Sequence, residues 1–139
     1  MTTRQEVLIE ARTWIGTPWV HQGRIKGEAI DCVGYPIKVA QHFNFIDWDY
    51  TNYAKFPDHK LFVKMCRRWL TPVQRDPIPG DLVLMAVSRH PIHIGFIGDK
   101  AKPFSILHAF EPARKVTEHR VNKVWLKSIK MVFEVPWLD

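Results

Sequence analysis

Cysteine is scarce in this chain, and long hydrophobic segments are missing from it. The 139 residues contain two cysteines, Cys32 and Cys66, which are too few for a disulfide framework and lack the spacing of a zinc site. A single bridge between them and a lone reactive thiol are both compatible with the sequence. The apolar runs extend over a few residues only, far fewer than the roughly 20 that a membrane-spanning helix needs.

Charge of one sign does not dominate any segment, although the chain as a whole is basic. Lys and Arg number 20 and Asp and Glu number 14, which gives a formal net charge of +6. A basic protein is attracted to polyanions such as nucleic acids, anionic cell walls and membrane surfaces. Because the basic residues are dispersed and no run exceeds the Arg67-Arg68 pair, we predict a loose attraction and no nucleic-acid-binding surface.

Helical periodicity characterises the first half of the chain. A capping-box pattern at Thr3–Glu6 predicts a first helix that ends at Gly16-Thr17-Pro18. Asp31 is a suitable N-cap for a second helix, from about Cys32 to Phe43. A third helix is predicted from Asp58 to Leu70, with Leu61, Phe62, Met65, Cys66 and Trp69 on its inner face.

From Asp81 onward the apolar period changes to two, which is typical of strands. The predicted strands are Leu82–Val87, Ile92–Ile97, Phe104–Phe110, Val116–Val121 and Ile129–Val135. Helices followed by strands indicate an α+β fold with an antiparallel sheet of four to six strands. The length fits a single domain, residues 1–139.

Cys32 stands in a sequence that favours nucleophilic chemistry. As the residue after the predicted N-cap Asp31, it would meet the positive end of the helix dipole, which lowers the pKa of a thiol. Free backbone N–H groups on that first turn would stabilise an oxyanion, and Gly34 would leave space for an approaching substrate chain. The sequence therefore predicts a catalytic nucleophile at Cys32, with burial as a small core residue as the alternative.

Two histidines interrupt otherwise apolar strands, which is costly unless each has a partner. A hairpin that turns symmetrically at Lys100-Ala101 would place His93 directly opposite His108, with Cβ atoms about 4.5–5.5 Å apart. We predict that His93 is the general base and that His108 holds its ring. A pair of satisfied core histidines is the alternative. A metal site is disfavoured, because no third ligand has suitable spacing.

Five short motifs follow one another along nearly the whole chain. They are Gly16-Thr17-Pro18-Trp19, Asp31-Cys32-Val33-Gly34, Pro79-Gly80-Asp81-Leu82-Val83, His93-Ile94-Gly95 and His108-Ala109. Each is weak alone, but in this order and spacing they resemble the NlpC-type cell-wall cysteine endopeptidases. The segment Thr17–Gln22, ahead of Asp31-Cys32, is especially similar to the phage-tail-associated branch of that family.

The resemblance implies a papain-like core in which the helix that bears Cys32 packs on the antiparallel sheet. It also implies a triad of Cys32, His93 and His108, with no cofactor and no metal, that cuts stem peptides of peptidoglycan, often after a γ-linked D-glutamate. The expected partners are this peptide substrate and phage-tail proteins. The amino terminus lacks the pattern of a secretory signal, so we expect synthesis in the cytoplasm and action at the cell wall or periplasm. Another carrier, such as a virion, would then deliver the protein, or a signal has been trimmed from the sequence.

Two positions depart from the family pattern. Trp19 stands where the family usually has tyrosine, and Val33 stands where it usually has serine. An indole donates but does not accept a hydrogen bond, and valine would make the pocket beside the nucleophile more apolar. We expect Trp19, His21, Asp31, Val33 and Gly34 to line the substrate site.

Two other functions are compatible with the sequence. A thiol-dependent amidase or acyltransferase of the same fold, acting on a lipid or another amide, would suit the apolar Val33 and the aromatic loop at residues 44–57. A non-catalytic tail-binding or wall-binding module is the second, and the complete triad argues against it.

Overall fold

A six-stranded antiparallel sheet forms the centre of the fold. The computed structural model describes residues 2–55, 58–87 and 90–135. In chain order the elements are α1 (Arg4–Arg12), β1 (Arg24–Ile25), β2 (Ala29–Ile30), α2 (Gly34–His42), α3 (His59–Trp69), β3 (Thr71–Val73), β4 (Leu82–Val87), β5 (His90–Gly98), β6 (Ser105–Phe110), a 3₁₀ turn (Glu111–Ala113), β7 (Lys115–Arg120), α4 (Lys123–Ser128) and β8 (Ile129–Glu134). The sheet order is β3-β8-β4-β5-β6-β7, and β1 and β2 pair separately. The predicted α+β class and strand number are confirmed.

The first helix begins at its predicted cap and ends sooner than its periodicity indicates. Thr3 Oγ1 accepts the Glu6 N–H at 3.1 Å, and α1 ends at Arg12. Trp14 is still buried beyond the end of the helix, whereas Ile15 is 49% exposed. The apolar pattern therefore continues past the helix for one buried residue only.

The third helix has nearly its predicted extent. The Asp58 carboxylate accepts the Leu61 N–H at 3.1 Å and caps the amino end of α3. Phe62 and Cys66 are buried, as predicted, but Leu61 is 50% exposed, so its assignment to the inner face was wrong. Phe62 and Cys66 stand four residues apart and define the buried stripe, and Leu61 lies to one side of it.

The sequence did not predict five of the elements: the strands β1, β2 and β3, the 3₁₀ turn and the helix α4. The edge strand β3 contains Pro72, which an edge position tolerates because one side of the strand makes no ladder bonds. The helix α4 has six residues, too few to display a helical period. The strands β1 and β2 have two residues each and pair across a tight turn. Residues 56–57 of the predicted aromatic loop lie outside the described residues.

Side chains on both faces of the sheet are buried. On one face the helices α1, α2 and α3 pack on Ile94, Phe96 and other residues of the main core. On the opposite face Ile97 belongs to a second cluster, against which Trp125 of α4 packs. Because side chains alternate along β5, His93 shares the face of Ile97.

Candidate active site

Cys32 lies on the turn that leads into α2. The Asp31 carboxylate accepts the Gly34 N–H at 2.8 Å, and its carbonyl accepts the Tyr35 N–H at 3.0 Å. Asp31 therefore makes hydrogen bonds like those of the predicted cap, but the N-cap residue of α2 is Val33, which makes no side-chain capping bond. The helix itself begins at Gly34, two residues later than predicted, because Cys32 and Val33 belong to the turn between Asp31 and the first full helical residue.

The charge state of Cys32 differs from the sequence expectation. Burial raises the pKa of its thiol to about 12, and the neighbouring Asp31 carboxylate contributes to the rise. The backbone N–H groups of Ile94 and of Cys32 itself act in the opposite direction and do not offset it. The predicted lowering of the pKa by the helix dipole was therefore wrong for the resting site. The thiol is neutral, and a base has to take its proton as it reacts.

The thiol lies beside one edge of β5. The Ile97 N–H donates to the Asp81 carbonyl at 2.8 Å, on the β4 side, so Ile94, three residues earlier, turns its N–H to the other edge. The ladder with β6 extends from Gly98 to Phe96 and ends before Ile94, whose N–H faces the Cys32 sulfur instead. His93 precedes Ile94 in the chain. The predicted nucleophile and the predicted base are thus brought to the same stretch of β5.

His93 and His108 are in direct contact. His93 Nε2 and His108 Nδ1 are 2.6 Å apart, and the ring centroids are 4.8 Å apart. Both residues are buried. Burial lowers the pKa of His108 well below its usual value, and the charges that His93 and His119 carry when protonated lower it further. His108 is therefore a neutral imidazole that holds one nitrogen of His93.

The register by which the two rings meet differs from the predicted one. β5 and β6 pair Phe96 with Leu107 and Gly98 with Ser105, which places the centre of the turn one residue beyond Lys100-Ala101. Each predicted partner is therefore displaced by two residues, and His93 lies diagonally from His108. A shift of two residues preserves the face of every side chain, so the rings still meet.

Gly95 makes this diagonal contact possible. It lies between His93 and Ile97 on the same face of β5, and a Cβ atom at this position would stand 3.0 Å from His108 Cβ. A side chain there would crowd the space from which His108 reaches His93. In the sequence, Gly95 stood out only as part of a motif. In the structure, the missing side chain leaves room for His108.

Asp31 is the centre of a second polar cluster that sequence reasoning missed in part. Its carboxylate accepts the Tyr53 hydroxyl at 2.6 Å, the Gln22 N–H at 2.7 Å and Arg24 Nη1 at 3.2 Å. Asp31 is only 3% exposed, and each of these three partners is a donor. The cluster fixes the loop before Cys32. Hydrogen bonds from Gln22 Nε2 to the carbonyls of Thr51 and Tyr53 tie the aromatic loop to it.

Trp19 and His21 lie on the same side of the site as this cluster. Trp19 is half-buried, its N–H donates to the Arg114 carbonyl, and the Lys55 ammonium stands 5.6 Å from its ring centroid. His21 Nδ1 is 3.9 Å from Asp31 Oδ2, and its ring meets Tyr53 edge to face. Both predicted residues are thus accessible near the loop that precedes the nucleophile.

Val33 and Gly34 lie away from solvent. Val33 is 5% exposed and belongs to the main core, so its side chain packs inward. A Cβ atom at Gly34 would collide with the Arg24 guanidinium, which occupies the space that the glycine leaves. The expectation that Gly34 leaves room for a substrate chain was therefore wrong, because this room holds the arginine that pairs with Asp31.

Three features are absent from the described residues. Within residues 2–55, 58–87 and 90–135, no group of three or more His, Cys, Asp and Glu side chains is arranged to hold a metal ion. None of the helices in these segments is long and apolar enough to cross a membrane. Cys32 and Cys66 are both free, so no disulfide joins them in this structure.

Comparison with known proteins identifies the fold. No protein-family model and no curated protein matches the sequence. The structure is similar to the crystal structure of the NlpC/p60 domain of peptidoglycan hydrolase SagA, with a TM-score of 0.65. The match covers 96% of this chain and 100% of that chain, at 18% sequence identity. The chain has the papain-like NlpC/p60 fold. The helix that follows Cys32 packs on the antiparallel sheet, as this fold class implies.

Proposed function

We propose that this chain is a single-domain cysteine peptidase of the NlpC type that hydrolyses peptide bonds in peptidoglycan. One observation carries the proposal: the Cys32 thiol lies beside Ile94, and the preceding residue, His93, is bonded to a buried, neutral His108. A nucleophile, a base and a group that orients the base are the parts that acyl transfer requires. The likeness to a peptidoglycan hydrolase domain supports the same class of substrate.

The reaction begins with transfer of the Cys32 proton to His93, because the thiol, whose pKa is raised, is neutral at rest. The sulfur attacks the carbonyl carbon, and the N–H of Cys32, on the turn before α2, donates to the oxyanion that forms. His93 then protonates the leaving amine, the C–N bond breaks, and a thioester remains on Cys32. A water that gives its proton to His93 hydrolyses the thioester, which releases the carboxylate product and restores the thiol.

The scissile bond that we propose is the γ-D-glutamyl–diamino acid bond of the stem peptide, on the basis of the motif resemblance. Defined muropeptides with this bond, incubated with the parent chain and with Cys32→Ala, test it by mass spectrometry of the fragments. Release of the two expected fragments by the parent alone supports the proposal. Fragments from another bond would correct the specificity, and identical products from both proteins would refute the mechanism.

Delivery as part of a phage tail is a further element of the proposal. It is supported by the segment Thr17–Gln22, which resembles the tail-associated branch and lies beside the site, where the Gln22 N–H bonds Asp31. Immunogold labelling of purified tail particles with an antibody against this chain tests the placement. Label at the tail tip is expected, and particles without label would contradict it.

The amidase or acyltransferase alternative loses one of its supports. It depended in part on an apolar pocket wall at Val33, and this side chain is buried in the core. The aromatic loop has its backbone carbonyls engaged by Gln22 and Arg24, which orders it against the Asp31 cluster. Peptide hydrolysis is therefore the better supported function.

A further inference from the structure

The contact between His93 and His108 continues to a third ring on the edge strand β7. His108 Nε2 and His119 Nε2 are 2.9 Å apart, and His119 Nδ1 is 2.9 Å from the carbonyl oxygen of Arg120. With the 2.6 Å contact between His93 and His108, three imidazoles form an unbroken chain that ends on a backbone carbonyl. His119 has no counterpart among the motifs that predicted the triad.

The backbone carbonyl determines the direction of every hydrogen bond in this chain. A carbonyl oxygen only accepts, so His119 Nδ1 carries the proton and donates to Arg120. In a neutral ring Nε2 of His119 is then the acceptor, and His108 Nε2–H donates to it. His108 Nδ1 is consequently an acceptor and receives the Nε2–H of His93. The unprotonated nitrogen of His93 is therefore Nδ1, the form that a base requires.

Aromatic packing holds the second and third rings in place. The His108 ring stacks on Phe110 with an interplanar angle of 17° and a centroid distance of 4.9 Å. Trp125 of α4 packs against both His108, at 5.2 Å, and His119, at 4.9 Å. Burial also keeps His108 neutral, since it lowers the pKa of this ring well below its usual value. A neutral central ring with restricted rotation transmits donor and acceptor polarity from one neighbour to the other.

We propose that His119 is a positioning residue that fixes the tautomer of the base His93 through His108. A donor at position 119 would reverse the direction of the hydrogen bonds along the three rings. His108 Nε2 would have to accept, and His108 Nδ1 would carry the proton. His93 Nε2 would then accept, and its proton would move to Nδ1. The base would hold a proton at the nitrogen that has to receive one. The inference depends on the proposed function in that it assigns His93 as the base.

Two substitutions, one that offers only an acceptor and one that offers only a donor, distinguish a positioning function of His119 from a packing function. His119→Glu offers an acceptor alone, and His119→Lys offers a donor alone, while both remove the ring that packs on Trp125. We expect His119→Glu to keep activity near that of the parent and His119→Lys to lose about ten- to hundredfold in kcat with little change in KM. Thr117→Val, two residues away on the same face of β7, is the matched control and should resemble the parent. Equal losses in the Glu and Lys variants would overturn the proposal.

A second measurement does not depend on turnover. Long-range proton–nitrogen NMR correlations of the imidazole rings report which nitrogen is protonated in each histidine. The parent should show His93 and His108 protonated at Nε2 and His119 protonated at Nδ1, and His119→Lys should move the His93 proton to Nδ1. His93 protonated at Nδ1 in the parent would overturn the inference. If these tautomers are found but the parent cuts no muropeptide, the proposed function fails and the positioning inference stands.

Discussion

Cys32 and Cys66 are both free thiols whose pKa burial raises to about 12, but their surroundings differ. Cys66 lies on α3 in the main core, and burial is the cause of its shift. Cys32 is half-buried, follows Asp31 and meets the N–H of Ile94 on the strand that carries His93. The resting pKa therefore does not distinguish the proposed nucleophile from the core thiol. What sets Cys32 apart is the backbone N–H of Ile94, which lies next to His93 in the chain.

The largest expected difference between the two thiols is in activity. Cys32→Ala should reduce muropeptide hydrolysis by on the order of 10⁴-fold or more, because no other group forms the thioester. Cys66→Ala should keep most of the activity and lower the free energy of unfolding by about 1 kcal/mol, because it leaves a small void in the core. Hydrolysis rates and urea denaturation of the two variants check both statements. Full activity of Cys32→Ala would remove the distinction between the cysteines.

The next largest effect is the loss of kcat on replacing His93 or His108. His93→Ala should lower kcat by about 10²- to 10⁴-fold, because the neutral thiol then has no base. His108→Gln should be milder, with a loss of about ten- to hundredfold, since an amide offers His93 a polar partner. Steady-state kinetics on the same muropeptide measure both. A larger loss for His108→Gln than for His93→Ala would contradict the assignment of base and orienting group.

The meeting of His93 and His108 could be predicted from the sequence, but the register could not. Strand alternation restricts both rings to one face, and this restriction survives any even displacement of the hairpin. The centre of the turn depends on how residues 99–104 fold, and the apolar pattern contains no information on that loop. His93 and His108 were predicted to lie directly opposite each other. In the structure His108 lies opposite Gly95 and is diagonal to His93.

The surroundings of Cys32 show a different limit of sequence reasoning. The bond from the Gly34 N–H to the Asp31 carboxylate follows from a local rule, although the N-cap of α2 falls two residues later, at Val33. Tyr53 and Arg24 reach Asp31 from other parts of the chain, and no periodicity connects these three positions. Gly34 was interpreted as open space, because the sequence does not show that Arg24 fills it. Contacts between distant loops require the fold, whereas caps and strand faces do not.

Alkylation by iodoacetamide tests how the reactivity of the two thiols differs. In His93→Ala, the alkylation rate of Cys32 should rise about tenfold per pH unit between pH 7 and 9, since a pKa raised to about 12 keeps the thiolate a minor form throughout. In the parent, proton transfer to His93 should make the reaction faster at pH 7 and less dependent on pH. Cys66 should react more slowly than Cys32 in both proteins, because it is only 4% exposed. Peptide mass spectrometry quantifies each site, and a plateau below pH 9 for Cys32 in His93→Ala would contradict the raised pKa.

The smallest expected effect tests whether the ring that supports His93 is neutral. The pKa of His108 is lowered in the folded chain, so below about pH 6.5 the unfolded chain binds a proton at this position that the folded chain does not. The free energy of unfolding should therefore fall as the pH is lowered from about 7 to 5, by at most about 1.4 kcal/mol per pH unit from this group. His108→Gln should be less stable at pH 7 but should show a shallower slope, and Cys66→Ala should lose stability with the slope of the parent. Urea denaturation at a series of pH values measures all three, and equal slopes for the parent and His108→Gln would show that His108 is not held neutral.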